Sequence, residues 1–365
     1  MLEFLDNTHV QVGVKRLVYF GGCNYLGLAW HSSLQAALVR ASASGPFQTG
    51  ASRQTTGEHP EFLQTERATA EFFGTESAAF FPTGYLASMA ALDGLRDRID
   101  CVLIDAGAHR CLRDGARLTG HPVIEFPHRD SNGLRKAIKA LPRGAAPLVA
   151  TDGTGAIRPG TAPLQAFLDQ LPSTGLLVVD DAHGAGVLGV TGRGLVAHLG
   201  IQDPRVVQCV TFAKAFATAG GAVLGTSDLI SQIRNLAGAY TGSTTQPLSL
   251  LAAVQASIRL VHRSLGRIRR FQSNQRLFAD AVQHLARIES DPQTPVSVLY
   301  SRNEREAIYL ATELIKAGIH PPWIRYPGGP EGGFFRFAIS AAHRPIEIRG
   351  LASILTSVLQ SELSD

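Results

Sequence analysis

The feature that most limits how this chain can fold is a series of short, continuous apolar runs spaced through its middle. Strands are predicted at Ser77–Phe81, Cys101–Asp105, Pro122–Phe126, Pro147–Asp152, Gly175–Asp181, Val206–Phe212 and Gly221–Thr226. A strand with one wet face alternates apolar and polar residues. An unbroken run of Val, Leu, Ile and Phe suits a strand covered on both faces. Several intervening segments have helical spacing, among them Glu61–Phe73, with Phe62, Ala68, Phe72 and Phe73 as apolar positions. Alternating strands and helices predict an α/β fold with a mostly parallel sheet. Ligands of such sheets bind beyond the carboxyl ends of the strands, so chemistry is sought just after each run.

After about residue 262 the texture changes. Leu265–Ala286 reads as a basic amphipathic helix, and Glu304–Ala317 as a helix stopped by Gly318. Pro321-Pro-Trp323 and the stretch 326–333 read as turns and loops. Phe334–Ser340 reads as a strand and Pro345–Leu359 as a closing helix. The expected organisation is an N-terminal segment over 1–35, a large domain over 36–262 and a smaller α+β domain over 263–365.

Charge excludes some partners. The 365 residues carry 34 Lys+Arg against 30 Asp+Glu, a net +4. The positive residues are scattered, with Arg267-Ile-Arg-Arg270 the densest group. No basic run interleaved with aromatics appears, which argues against nucleic acid. No apolar stretch approaches the ~20 residues of a membrane span. The start, Met1-Leu-Glu-Phe-Leu-Asp6, does not read as a secretory signal. Cys23, Cys101, Cys111 and Cys209 form no CxxC pair, so no zinc site or redox couple is expected. They read as small buried apolar residues of a cytoplasmic protein.

The strand ends carry the chemistry. Asp105 ends one run and His109 follows it. Asp180-Asp-Ala-His183 ends another, and Thr211-Phe-Ala-Lys214 a third. Lys214 is one of only five lysines and lies among apolar neighbours. Loss of solvation there would lower its pKa and free the amine as a nucleophile for a carbonyl cofactor. The alternative is a lysine that snorkels to the surface. Asp180 suits the pyridinium nitrogen of pyridoxal phosphate, which needs an anionic partner to act as an electron sink. His183 could reach the ring hydroxyl. The alternative makes Asp180 a turn cap and His183 a satisfied polar side chain. Thr83-Gly84-Tyr85 opens a helix at Leu86–Leu95 and offers backbone N–H groups to a phosphate, with Thr211 adding a hydroxyl. Gly184-Ala-Gly186-Val-Leu-Gly189 matches the dinucleotide pattern GxGxxG. The glycines at 192 and 194 that follow would break the helix this pattern must open, so a nicotinamide enzyme is disfavoured.

Assembled, these residues resemble the α-oxoamine synthases, pyridoxal-phosphate enzymes of the aspartate-aminotransferase fold. The resemblance runs through Asn24-Tyr-Leu-Gly-Leu28, Asp180-Asp-Ala-His-Gly184, Gly192-Arg-Gly194, Thr211-Phe-Ala-Lys-Ala-Phe216 with Gly220-Gly221, and Arg336-Phe-Ala-Ile-Ser-Ala-Ala-His343. It implies a large domain with a mostly parallel seven-stranded sheet. It also implies pyridoxal 5'-phosphate as cofactor, amino acid and acyl-CoA as substrates, and an aminoketone, coenzyme A and carbon dioxide as products. It makes Lys214 the Schiff-base lysine and proton carrier, and Asp180 the pyridinium partner. His183 would meet the phenolic oxygen and His109 would stack on the ring. His109 or His183, protonated, would stabilise charge on the acyl oxygen. Thr83, Gly84, Tyr85 and Thr211 would hold the phosphate. Ser243 and Thr244 would reach the phosphate of a partner subunit, which implies a homodimer. Arg336 would bind the amino-acid carboxylate, and Asn24 would border the substrate. The biotin-pathway member is the first expectation. Glycine-acetylating and serine-palmitoylating enzymes, another pyridoxal-phosphate reaction and a non-catalytic relative are alternatives.

The chain departs from the family in two places. Asp152-Gly-Thr-Gly-Ala156-Ile-Arg158-Pro-Gly160 puts Ala156 where a serine usually stands. In Ser52–Phe62, Phe62 replaces a usual histidine, with His59 displaced from that position.

Overall fold

The computed structural model of the chain describes residues 1–325 and 330–361, the side chain of Ser361 excepted. The expected loop over 326–333 therefore lies partly outside the described residues. The chain divides into two compact units. One comprises Met1–Trp30, Gly155–Gly160 and Ser264–Asp365; the other comprises His31–Thr154 and Thr161–Arg263.

In chain order the strands are β1 (Glu3–Phe4), β2 (His9–Val12), β3 (Lys15–Tyr19), β4 (Ser77–Phe81), β5 (Cys101–Asp105), β6 (Val123–Phe126), β7 (Pro147–Asp152) and β8 (Leu176–Asp180). They continue as β9 (Val206–Thr211), β10 (Gly221–Gly225), β11 (Ile288–Ser290), β12 (Val296–Tyr300), β13 (Ile319–His320), β14 (Trp323–Ile324) and β15 (Phe334–Ala338).

The larger unit holds a seven-stranded sheet in the order β4-β10-β9-β8-β7-β5-β6. Only β10 runs against its neighbours. The sheet is therefore mostly parallel, as the continuous apolar runs require. Strands β5, β7, β8 and β9 are buried along their whole length. One face packs Val102, Ile104, Leu148 and Val178 with Ala87, Leu92 and Leu112 from helices. The other packs Leu103, Val149, Leu177 and Val179 with Phe167 and Leu195. The predicted strand at Pro122–Phe126 differs in kind: β6 is the sheet edge, and only Phe126 is buried.

Local chemistry sets the helix starts. Helix α1 (Ser32–Ser44) begins after His31, whose side chain accepts from the Ser33 N–H. Helix α2 (Pro60–Phe73) starts with proline at a position that needs no donor, capped by His59, and stops at Gly74 in a left-handed conformation. Helix α3 (Gly84–Gly94) begins two residues before the predicted Leu86 because Thr83 accepts from the Leu86 N–H. Helix α4 (Arg110–Leu118) is capped by His109.

The smaller unit carries two four-stranded sheets, β1-β2-β3-β13 and β11-β12-β15-β14. The predicted helix at Leu265–Ala286 ends at Val282, and the helix predicted at Pro345–Leu359 runs to Ser361. Both pack on one core with Phe20, Leu299, Phe335 and Phe337. Segment 155–160 joins this unit through Arg336 of β15, whose Nε donates to the Ala156 carbonyl at 2.6 Å.

A buried ionic cluster anchors α2 in the larger unit. Glu66 receives Arg53 at 2.5 Å, Arg234 at 2.8 Å and the Phe80 N–H at 2.8 Å. The Arg53 guanidinium is sandwiched between the rings of Phe62 and Tyr240, at 4.6 and 4.9 Å. Phe62 thus serves as a flat face for a cation. Removing the shared carboxylate leaves Arg53 with Glu58 alone and Arg234 with only the Ala78 carbonyl, so Glu66→Ala is expected to lower unfolding stability by about 3 kcal/mol, read from a denaturant melt.

Candidate active site

The strand directions bring the singled-out residues of the larger unit to one rim. The carboxyl ends of β4, β9, β8, β7 and β5 share it, with the start of β10 at Gly221. Thr83 and Gly220 bridge beside the Thr211–Gly221 pair.

Asp180 ends β8 as a buried carboxylate. Its Oδ2 accepts Ser88 Oγ at 2.9 Å and Cys111 Sγ at 3.1 Å, and its Oδ1 accepts the Ala182 N–H at 3.0 Å. All three of these donors are neutral. A buried carboxylate normally meets a cation.

His109 stands beside it. One of its ring nitrogens, Cys111 Sγ and an Asp180 oxygen lie within 4.8 Å of one another. Both Asp152 oxygens accept the His109 backbone N–H at 3.1 Å. Although its ring surface is exposed, the surrounding protein lowers the His109 pKa; Asp180 opposes that shift and Lys214 reinforces it. That direction favours the neutral imidazole. Asp152 pairs in register with Asp180, and burial together with the Asp180 charge pushes it well up.

Lys214 lies in the turn after β9, half-buried between the buried Phe212 and Phe216. Its carbonyl accepts the N–H of Ala217, a non-glycine residue at φ 53°. The electrostatic influence of Lys214 on both His109 and Asp152 places its amine at this rim. The other four lysines are exposed. His183 is buried three residues beyond Asp180.

The residues expected to hold a phosphate lie at the start of α3 and the end of β9. Thr83 Oγ1 accepts the Leu86 N–H at 3.1 Å and the Thr83 carbonyl accepts the Ala87 N–H at 3.0 Å. The N–H groups of Gly84 and Tyr85 have no acceptor among the described residues. Gly84 is obligatory there, since a Cβ on it would sit 2.7 Å from Thr211 Cβ. Thr211 Oγ1 donates to the Gly220 carbonyl at 3.2 Å and accepts the Ala213 N–H at 3.3 Å. The Tyr85 ring meets His109 edge-on at 6.0 Å, and its hydroxyl donates to Asp114. Ser243 and Thr244 line a different recess, with Arg53, Phe62 and Tyr240. Pyridoxal phosphate fits this rim: two orphan N–H groups suit its phosphate, and a buried carboxylate held by neutral donors suits its ring nitrogen.

The remaining two singled-out residues lie in the smaller unit. Arg336 is buried and donates to the carbonyls of Ala156 and Gly22 and to the Tyr25 hydroxyl. All these partners are neutral, and among the described residues no carboxylate pairs with it. Asn24 is committed to its own loop: its Oδ1 accepts the Leu28 N–H at 2.9 Å, and its Nδ2 donates to Asn7 at 2.9 Å.

Sequence reading missed Ser88 and Cys111. Of the four cysteines, Cys101, Cys111 and Cys209 are buried, yet Cys111 is a hydrogen-bond donor to a carboxylate and not an inert filler. The GxGxxG run forms turns instead of opening a helix: Gly186 sits at φ 89° and donates to the Gly192 carbonyl at 2.7 Å.

Beneath the rim, burial pushes Asp181 up to about 7, with the Asp180 charge adding and the Gln208 side chain opposing. The unfolded chain releases that proton near 3.8, so the folded chain holds it longer. Stability from this group is present below that value and is lost as pH rises through about 7. Asp181→Asn is expected to flatten this fall, read as unfolding free energy across pH.

Residues 16–355 match the family model for aminotransferase class I and II. The chain is 33% identical to the 8-amino-7-oxononanoate synthase of Stenotrophomonas maltophilia (strain R551-3), covering 96% of this chain and 87% of that one. It is 34% identical to the enzyme of the same name from Pseudomonas putida (strain GB-1), covering 97% and 91%. Among solved structures, Sphingomonas wittichii serine palmitoyltransferase superposes with a TM-score of 0.91 at 25% identity, over 98% of this chain and 91% of that one. The 8-amino-7-oxononanoate synthase of Francisella tularensis superposes at 0.81 with 22% identity, over 95% and 99%, a likeness of fold. The chain belongs to the aminotransferase class I and II family and, within it, to the α-oxoamine synthases, which are pyridoxal-phosphate-dependent acyltransferases.

Proposed function

We propose that the protein condenses an amino acid with an acyl-CoA thioester, releasing an aminoketone, coenzyme A and carbon dioxide, as an 8-amino-7-oxononanoate synthase of the biotin pathway. The observation that carries this reading is the rim that joins Asp180, a buried carboxylate held by neutral donors, to His109 and Lys214. Relatives such as the synthases of Stenotrophomonas maltophilia and Pseudomonas putida support the synthase over the palmitoyltransferase.

Pyridoxal phosphate bound at the rim supplies an electron sink for charge at the amino-acid Cα. Asp180 would hold the ring nitrogen, His183 the phenolic oxygen, and His109 would lie against the ring. Gly84 and Tyr85 hold the phosphate through their N–H groups, with Thr83 and Thr211 shaping the cradle. Lys214 removes the Cα proton. A carbon–carbon bond then forms to the acyl carbonyl and the carbon–sulfur bond breaks. The carbon–carboxyl bond breaks last, and a proton returns to Cα. His109, donating as a neutral imidazole, is placed to steady charge on the acyl oxygen. Arg336 recognises the substrate carboxylate, which suits a buried guanidinium whose present partners are all neutral. Asn24 fixes the loop that carries Tyr25, a partner of Arg336. Ser243 and Thr244 contribute to the phosphate site of a second subunit in a homodimer. A cytoplasmic location agrees with the free cysteines. Among the described residues no helix is long and apolar enough to cross a membrane.

The test is thiol release over a grid of amino acids and acyl-CoAs with pyridoxal phosphate present. Release that requires both substrates is expected, and release for no pair would refute acyl transfer. Lys214→Ala is expected to lower kcat by about 10²–10⁴-fold. Arg336→Lys, which loses the bidentate fork, is expected to raise KM for the amino acid about tenfold.

A further inference from the structure

The thiol of Cys111 has no part in the chemistry above, yet it touches two of the groups that do. Cys111 is buried in the first turn of α4. Its sulfur lies 3.1 Å from Asp180 Oδ2 and 3.0 Å from His109 Nδ1. Its backbone N–H donates to that same Nδ1 at 3.3 Å. Ser88, buried in α3, donates to the same Asp180 oxygen at 2.9 Å. Two helices thus each send one neutral donor to one carboxylate oxygen.

Donor and acceptor roles follow from the geometry. A backbone N–H can approach Nδ1 only if that nitrogen is bare, so the neutral His109 ring carries its proton on Nε2. The sulfur proton then goes to the charged acceptor, Asp180. A cysteine acting as metal ligand or nucleophile must be a thiolate. Burial, reinforced by the Asp180 charge, pushes this thiol up, so it keeps its proton and stays a donor.

We propose that Cys111 and Ser88 are positioning residues for the cofactor: together they hold the Asp180 carboxylate charged and oriented, so that the proton stays on the cofactor ring nitrogen, and Cys111 also fixes the tautomer of His109. Hydrogen bonds donated to a carboxylate favour its charged form. With both donors lost, Asp180 takes the proton from the ring nitrogen, and the ring withdraws electrons less well. The inference rests on the functional reading above.

The experiment uses the full-length holoenzyme loaded with 15N-labelled pyridoxal phosphate. The wild type is expected to show the ring-nitrogen signal at its protonated position. In the double variant Ser88→Ala with Cys111→Ala, the signal moves toward the unprotonated position. Cofactor Kd rises about tenfold for each donor lost, and kcat falls while KM for the amino acid holds. Cys111→Ser, which restores a donor, returns the signal and kcat toward wild type. If the double variant does not fold, the two single variants give the same comparison, each with part of the shift. A ring-nitrogen signal at the wild-type position in folded variants that bind the cofactor would overturn the proposal, as would a Cys111→Ser enzyme no better than Cys111→Ala. A wild type that takes up no cofactor would overturn the functional reading, and this inference with it.

Discussion

The site depends on one constraint: a carboxylate, Asp180, buried at the end of a central strand with only neutral donors around it. A charge removed from water at that depth is costly unless a cation meets it. The fold supplies hydroxyl, thiol and amide protons, which orient the carboxylate; in the proposed reading a cationic ring nitrogen balances its charge. The other groups are arranged around that carboxylate. His109 is held beside it by Asp152 and Cys111, and Lys214 lies close enough to act on His109 electrostatically.

Sheet order explains how so few residues converge. Because β4, β9, β8, β7 and β5 all point the same way, each strand ends on the same rim. The turns after them therefore deliver a helix start, a lysine, a carboxylate and a histidine to one place. The antiparallel β10 adds the Gly220-Gly221 turn, where the chain comes too close to Gly84 for any side chain.

Much of this was legible in sequence because the signals were local. Lys214, Asp180, His183 and His109 follow apolar runs, and a run with a polar end reads directly as a strand leading to a site. The seven central strands were recognisable for the same reason, although β6 carries an apolar run without burial because it forms the edge. Ser88 and Cys111 were not legible. Each lies on a helix, and what it meets is set by how α3 and α4 pack on the sheet, a distance of 92 and 69 residues from Asp180 in the chain. Cys111 read as a small apolar residue because nothing next to it in sequence shows the carboxylate. The short strands β1, β2 and β13 pair across the chain and carry too few residues for a periodic signal. The joining of 155–160 to the smaller unit includes a bond to the Ala156 backbone carbonyl, which any residue at 156 would offer, and one from the Gly160 N–H to the Thr294 hydroxyl.

The central claim, that this rim holds pyridoxal phosphate on Lys214, is tested most directly by trapping. The protein is incubated with pyridoxal phosphate, reduced with borohydride and digested, and the modified peptide is located by mass. The account predicts one phosphopyridoxyl group per chain, on Lys214, and none on Lys15, Lys136, Lys139 or Lys316. Labelling spread over the exposed lysines, or absent from Lys214, would contradict it.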